Sequence, residues 1–268
     1  MRIVVPIKQV PETSNVRMDQ ESGTMIRDGV EAIVNPLDLY AIETAVAIRE
    51  GMPGGECEII AISMGPPKAE TALREAISMG VDSGVLLTDK SFAGSDTWAT
   101  SCVLAAAIRK LSPVDLIICG ERATDGDTGQ VGPGIAAWLD LPVVSYACSI
   151  DWVADGTCRS RRLVEDGYET VDMQLPGLLT VVKEVANPRL PTLRGKQRAR
   201  RADIPSWGMS DLDIDEDNVG LAGSPTRVVK IFRPTVAREC RMVAPADEIA
   251  IGHAADELVA FLAKKGVL

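Results

Sequence analysis

Aromatic side chains are scarce in this chain: four Trp, three Tyr and three Phe make up 4 % of 268 residues. Stacking platforms for single-stranded nucleic acid need such rings, so no nucleic-acid role is expected. Histidine is scarcer still, with His253 alone, which leaves little from which to build a zinc site or a Cys–His nucleophile pair. No apolar run approaches the roughly 20 residues that span a bilayer, so no membrane insertion is expected. The opening "MRIVVPIKQVPET" is too short in apolar residues for a signal peptide and reads as a first strand, which points to a cytoplasmic protein. The six cysteines (57, 102, 119, 148, 158 and 240) form no CxxC pair and read as reduced, buried thiols. No nucleophile–base pair and no carboxylate dyad stands out, which favours a binding or carrier role over a self-contained hydrolase.

What is present is an ordinary globular composition, 46 % hydrophobic and 25 % charged, in a chain long enough for one large domain with an appendage. The net charge of −10 is unevenly spread. Lys183–Arg201 carries seven basic residues and one acid, a net of +6, and the remainder carries −16. A basic stretch on an acidic protein suggests docking to an acidic partner; a solvated basic helix without a partner is the alternative.

The first two-thirds alternates strand-like and helix-like segments. "RIVVPIK", "ECEIIAISMG", "GVLLTD", "VDLIICG" and "PVVSYACSIDWV" read as strands. Between them lie helices. "NPLDLYAIETAVAIREG" is expected to be capped by Asn35, with Pro36 at its first position and Asp38 in its first turn. "KAETALREAISMG" closes at Gly80, "SDTWATSCVLAAAIRKL" is capped by Ser95, and "QVGPGIAAWLDL" starts near Gln130. A small hairpin is expected in "VRMDQESGTMIRD", turning at Glu21–Gly23. This order implies a mainly parallel α/β sheet covered by helices. After Val153 the pattern changes to strands joined by turns. An exposed arm, "ANPRLPTLRGKQRARRADIPSW", follows, then an acidic turn-rich stretch, a late strand "TRVVKIFRP" and a final amphipathic helix in "PADEIAIGHAADELVAFLAKKG". The expected division is 1–183 for the α/β domain and 184–268 for the arm and C-terminal extension.

The segment "GERATDGDTGQVGPG", Gly120–Gly134, puts five glycines, two aspartates and two threonines directly after an apolar strand. Ligands of open parallel sheets bind at the carboxyl ends of the strands, and Pro6, Asn35–Asp38, Met64 and Gly120 all fall at that rim. Glycines allow positive φ and close backbone approach, and successive N–H groups before a helix form an anion cradle. Thr124, Thr128 and Gln130 can add hydrogen bonds. Asp125 and Asp127 would repel phosphate and suit ribose hydroxyls or loop capping better. The pattern is neither GxGxxG nor GxxxxGK[ST]. On these residues alone a nucleotide cradle and a purely structural loop both remain open.

Taken together, "VPIKQVP", "NPLDLYAIETAV", "AISMGP", "DLIICGERATDGDTGQVGP" and "VVKEVANPRLPTLRGKQRAR" resemble electron-transfer flavoprotein beta subunits over nearly the whole chain. The resemblance implies a doubly wound, Rossmann-like, adenine-nucleotide-binding α/β fold and a heterodimer with an alpha subunit that holds the main FAD. It implies a second nucleotide on this chain, held by Pro6, Asn35, Pro36, Leu37, Asp38, Met64, Gly120, Glu121, Arg122, Ala123, Thr124, Asp125, Gly126, Asp127, Thr128, Gly129, Gln130 and Val131. That nucleotide is a second FAD in electron-bifurcating members and AMP in conventional ones. "DGDTGQVGP" and "VVKIFRP" look like the bifurcating type, with NADH as donor and ferredoxin or flavodoxin as one acceptor; Gly129, where alanine is usual in that group, departs from it. The basic arm resembles the family's recognition loop, with Leu193 as the hydrophobic anchor for an acyl-CoA or hydroxy-acid dehydrogenase and Arg189, Arg194 and Lys196 steering an acidic partner. The alternative is a leucine packed under its own arm. Any enzymatic activity would belong to the complex with the alpha subunit. A third reading, an ATP-consuming transferase on a related fold, would need a phosphate-binding cation beside the loop, and only Arg122 is available.

Overall fold

A computed structural model of the chain describes residues 1–12, 17–18, 25–26, 32–52, 56–154, 156–229 and 242–267. The strands are β1 (Arg2–Pro6), β2 (Gln9–Pro11), β3 (Arg17–Met18), β4 (Met25–Ile26), β5 (Ala32–Val34), β6 (Glu58–Met64), β7 (Ser83–Leu87), β8 (Leu116–Gly120), β9 (Val143–Ala154), β10 (Thr157–Val164), β11 (Gly167–Gln174), β12 (Gly177–Val181) and β13 (Ser206–Trp207). The helices are α1 (Asp38–Gly51), α2 (Glu70–Met79), α3 (Thr97–Leu111), α4 (Val131–Leu139), α5 (Leu193–Arg201) and α6 (Glu248–Lys264). Nine strands form one sheet in the order β11-β10-β9-β12-β8-β1-β6-β7-β13, parallel except for β10 and β11. This is the doubly wound α/β architecture expected from the alternation of segments.

The central strands are apolar at successive positions because both their faces are covered. Ile3 and Val5 of β1, Ile59 and Ala61 of β6, and Leu116 and Ile118 of β8 join α1 and α2 in one core layer. The intervening Val4, Ile60, Ile62, Ile117 and Cys119 join α3 and α4 in the other. The period-2 alternation therefore sorts each strand's side chains between two helix layers. β12, from the turn-rich stretch after Val153, inserts between β8 and β9 as a central parallel strand. Its five residues are all buried, so it behaves as core although no helix precedes it.

Several local expectations change. Asn35 does not cap α1: Leu37 is the N-cap residue, without a side-chain bond, because the Asn35 amide is engaged elsewhere. Asp96, not Ser95, caps α3, accepting from Trp98 N (2.9 Å) and Ala99 N (3.1 Å). Gly80 closes α2 at φ 137°, as expected. β3 and β4 pair antiparallel as the expected hairpin; its turn at Glu21–Gly23 lies outside the described residues. Thr226–Val229 is not a strand, and residues 230–234 of the expected late strand also lie outside the described residues. The five described cysteines are buried and free of disulfides; Cys240 is not among them.

The chain divides into two compact units, Met1–Val229 and Lys230–Leu268. The arm expected to belong with the C-terminal extension lies in the first unit, because α5 packs on α2 and β13 extends the sheet beyond β7. In the second unit Asp247 caps α6, its carboxylate accepting from Ala250 N at 2.8 Å. Among the described residues no helix is long and apolar enough to cross a membrane, and no cluster of metal-binding side chains occurs.

Candidate functional site

From β1 the chain moves outward through β6 to β7, then returns to β8 on the other side of β1. The crevice between β1 and β8 is therefore a topological switch point, where open α/β sheets bind ligands. Pro6 ends β1, Met64 ends the adjacent β6, and Gly120 ends β8. Register pairs Pro6 with Ile62, so half-buried Met64 stands just beyond it at the same rim. Asn35, Pro36, Leu37 and Asp38 sit above β1 through a continuous set of bonds. Asn35 N donates to Lys8 O at 2.8 Å, Asp38 N to Asn35 O at 2.9 Å, and Lys8 N to Asp38 Oδ2 at 2.7 Å.

Asn35 is fully buried and faces the loop. Its Nδ2 donates to Arg122 O (2.9 Å), and its Oδ1 accepts from Thr124 N (3.1 Å). One primary amide thus satisfies both a donor and an acceptor of a backbone 87 residues away. Glycine is required at 120 by close approach: a Cβ there would lie 2.5 Å from Asp38 Oδ1 and 2.9 Å from Leu37 O. Burial pushes the Asp38 carboxyl up to about 7, against the lowering effects of the Lys8 N–H and the Asn35 side chain.

The two loop aspartates, a difficulty for any anion, are both paired. Lys8 Nζ lies 2.7 Å from Asp125 Oδ1, and Arg122 Nε lies 2.9 Å from Asp127 Oδ1. The loop turns where Asp127 N donates to Ala123 O at 2.8 Å. Asp127 (φ 55°) and Gly129 (φ 65°) take left-handed conformations, whereas Gly126 does not. A Cβ at Gly126 would meet nothing within 4 Å, so that position opens onto free space. Glu121 N bonds Val181 O at 3.1 Å, tying the loop to β12. Thr97 donates to Gln130 Oε1 at 2.9 Å. Thr128 is exposed, and α4 begins at Val131 without a side-chain cap, which leaves its first N–H groups available to a ligand. Every rim residue singled out in the sequence is thus at this one crevice or at its edge.

Tyr146 escaped the sequence reading, and "VVSYACS" gives no signal for it beyond an ordinary strand. In β9, Ser145 and Tyr146 face a single residue of β12, Thr180, because the register slips between Leu179 and Val181. Tyr146 takes φ 60° and its N–H bonds Thr180 Oγ1 at 3.0 Å.

The arm is less free than its composition suggested. Thr192 caps α5, accepting from Gly195 N at 2.9 Å. A Cβ at Gly195 would stand 2.1 Å from Ser78 O, so α5 can lie against the end of α2 only with glycine there. Arg198 Nη2 donates to Ile77 O (2.8 Å) and Val81 O (2.9 Å), and Arg74 donates to Ala199 O. Arg189, expected as a steering charge, is bound to Glu43 (2.8 Å) and Glu50 (2.6 Å). These two carboxylates hold its guanidinium well above its usual pKa, so it fastens the arm to α1. Arg194 and Lys196 remain exposed, and Leu193 (82 %) and Leu190 (86 %) project outward. Leu193 is therefore not packed beneath its own arm. A cleft of about 510 Å³ beside α5, lined by Arg194, Gln197, Arg198 and Arg201 with Asp82 and Asp203, belongs to this arm and lacks the backbone cradle found at the rim.

A model of the electron transfer flavoprotein domain matches residues 22–212. The chain is 42 % identical over 268 residues to the subunit CarD of the caffeyl-CoA reductase–Etf complex of Acetobacterium woodii, covering the whole of both chains. It is 46 % identical over 239 residues to the electron transfer flavoprotein subunit beta of Thermoanaerobacterium thermosaccharolyticum, covering 89 % of this chain and 90 % of that one. The acryloyl-CoA reductase electron transfer subunit gamma of Anaerotignum propionicum is 42 % identical over 241 residues, 87 % of this chain and 89 % of its own.

Proposed function

The chain belongs to the electron transfer flavoprotein family, and from that premise we propose that it holds a second FAD between β1 and β8 for electron bifurcation. It is an electron-transfer subunit of beta type that works within a larger complex. The observation that carries the second-nucleotide reading is the rim itself: a glycine-rich loop clasped by buried Asn35 at the switch point, its carboxylates neutralised by Lys8 and Arg122.

The residues fit such a group. Asn35 fixes the loop backbone, paired Asp125 and Asp127 present no net repulsion, and uncapped α4 offers N–H donors to a phosphate. The free space at Gly126 admits a bulkier ligand than a clasping side chain would, which favours FAD over AMP. A flavin bound there would supply hydride acceptance from NADH and one-electron transfer toward ferredoxin or flavodoxin and toward the FAD of the alpha subunit. AMP as a structural nucleotide is the second reading, favoured by nothing specific at Gly126. Arg122 and Lys8, the cations that the structure brings to the loop, are committed to Asp127 and Asp125, which argues against an ATP-consuming transferase.

The proposed partners are an alpha subunit, contacted by the C-terminal unit, and an acyl-CoA-type or hydroxy-acid dehydrogenase, met by Leu193. The names of the caffeyl-CoA and acryloyl-CoA reductase relatives support a CoA-thioester reductase as that partner. The five described cysteines, buried and without disulfides, suit a reducing, cytoplasmic setting. The test is to co-express the chain with its alpha subunit, denature the complex and quantify FAD and AMP. Two FAD and no AMP per heterodimer are expected; one of each would replace the bifurcating reading with the conventional one. Asp127→Ala combined with Thr128→Ala should empty the rim and leave the alpha-subunit FAD. Unchanged nucleotide content would reject the loop as the site.

A further inference from the structure

We infer that Tyr146 is a ligand-contacting residue of the rim, whose hydroxyl donates a hydrogen bond to the phosphate of the bound nucleotide. The inference rests on the nucleotide reading above and adds to it a residue that no motif marks.

Four observations converge on it. First, Tyr146 takes φ 60°, a conformation that is a true outlier for a bulky side chain and persists only where its surroundings impose it. Here the imposing group is Thr180, 2 % exposed, whose Oγ1 accepts the Tyr146 N–H in place of a ladder carbonyl. Second, the register sets Tyr146 at ligand height. Thr180 pairs with Cys119 and Val181 with Gly120, so the bulge opposite Thr180 is level with the end of β8. An ordinary strand residue here would alternate with its neighbours; the bulge re-aims this one.

Third, the side chain reaches the loop. The Tyr146 hydroxyl lies 3.7 Å from where a Cβ of Gly129 would stand, two residues before the first turn of uncapped α4. That helix start is where the phosphate of a nucleotide would sit. Fourth, the phenol is 43 % exposed, and its hydroxyl has no hydrogen-bond partner among the described residues. A phenolic O–H donates readily to a phosphate oxygen, and the ring fixes the donor with only two rotatable angles. The strained backbone thus holds a donor beside the helix N-terminus, completing a cradle otherwise made of N–H groups.

The heterodimer stripped of its rim nucleotide would be titrated with AMP and with adenosine. They differ by the phosphate, and AMP is a component of FAD, so the probe serves either ligand. Tyr146→Phe should weaken AMP by about tenfold or more, the loss of one hydrogen bond to a charged group, and leave adenosine unchanged. Tyr146→Gly, which relieves the positive φ but removes the phenol, should lose AMP affinity as Tyr146→Phe does. Wild-type AMP affinity in Tyr146→Phe, or an equal loss for adenosine, would overturn the hydroxyl–phosphate contact. If the wild-type complex bound neither probe at the rim, the nucleotide reading would fall first and this inference with it.

Discussion

Asp38 shows how one residue links the rim to stability. Its carboxyl is buried between the end of β1 and Gly120, and desolvation raises it from 3.8 to about 7. Between these values the folded chain holds a proton that the unfolded chain has released. Stability therefore falls as pH rises from about 4 to about 7 and is level above that. The upper bound of this loss is about 4 kcal/mol, three pH units at 1.4 kcal/mol each. Asp38→Asn should abolish that slope and gain stability relative to wild type at pH 8, measured by denaturant unfolding at several pH values; an unchanged slope would show that Asp38 ionises freely. The residue's place at the rim was legible in "NPLDLY", but its role was not. A first-turn acid ordinarily gains from the helix dipole. What wins here is burial by a strand end some 80 residues away, which local sequence does not encode. Asn35 is parallel: an Asn before a helix reads as a cap, yet its amide turns to Arg122 and Thr124. Tyr146 is the extreme case, since a tyrosine's φ is set by tertiary context and leaves no local signature.

At the scale of elements, the glycine-rich loop and the parallel sheet were readable because each has a local cause: Gly, Asp and Thr density for one, apolar period 2 between helical segments for the other. The insertion of β12 between β8 and β9 was not, because strand order depends on which edges remain unpaired. The arm was legible as basic but not as anchored, because its fastenings are long-range: Arg189 to α1, and Arg198 and Arg74 across to α2 and back. Arg189 and Leu193 should therefore respond differently to mutation. Arg189→Ala leaves Glu43, only 8 % exposed, without its cation and should destabilise the first unit by about 2–4 kcal/mol, somewhat below the loss of a fully buried pair. Leu193→Ala removes an exposed side chain and should leave the thermal midpoint unchanged while slowing electron delivery at limiting carrier, with flavin content intact. Equal midpoints for both variants would show that Arg189 does not anchor the arm, and an unaltered rate for Leu193→Ala would remove it from docking.

At the scale of the molecule, charge is spread unevenly and only part of it is free to meet a partner. The segment Lys183–Arg201 carries +6 against −16 elsewhere, and within it Arg189 is neutralised by two glutamates while Arg194 and Lys196 stay exposed. The surface charge available to a partner is thus smaller than the sequence count and runs along α5 from Arg194, next to Leu193, to Arg201. Exposed charges act mainly on encounter, and their field is cut off beyond about 8 Å at physiological ionic strength. Reversing both, Arg194→Glu with Lys196→Glu, should slow association with an acidic dehydrogenase by about tenfold or more at low salt, and the gap to wild type should close as salt is raised. Dissociation, which the proposed docking assigns to Leu193, should change little. Stopped-flow association across a salt series separates these. If the variant loses affinity through faster dissociation at every salt concentration, the two cations belong to the packed interface itself, and the steering role assigned to them is wrong.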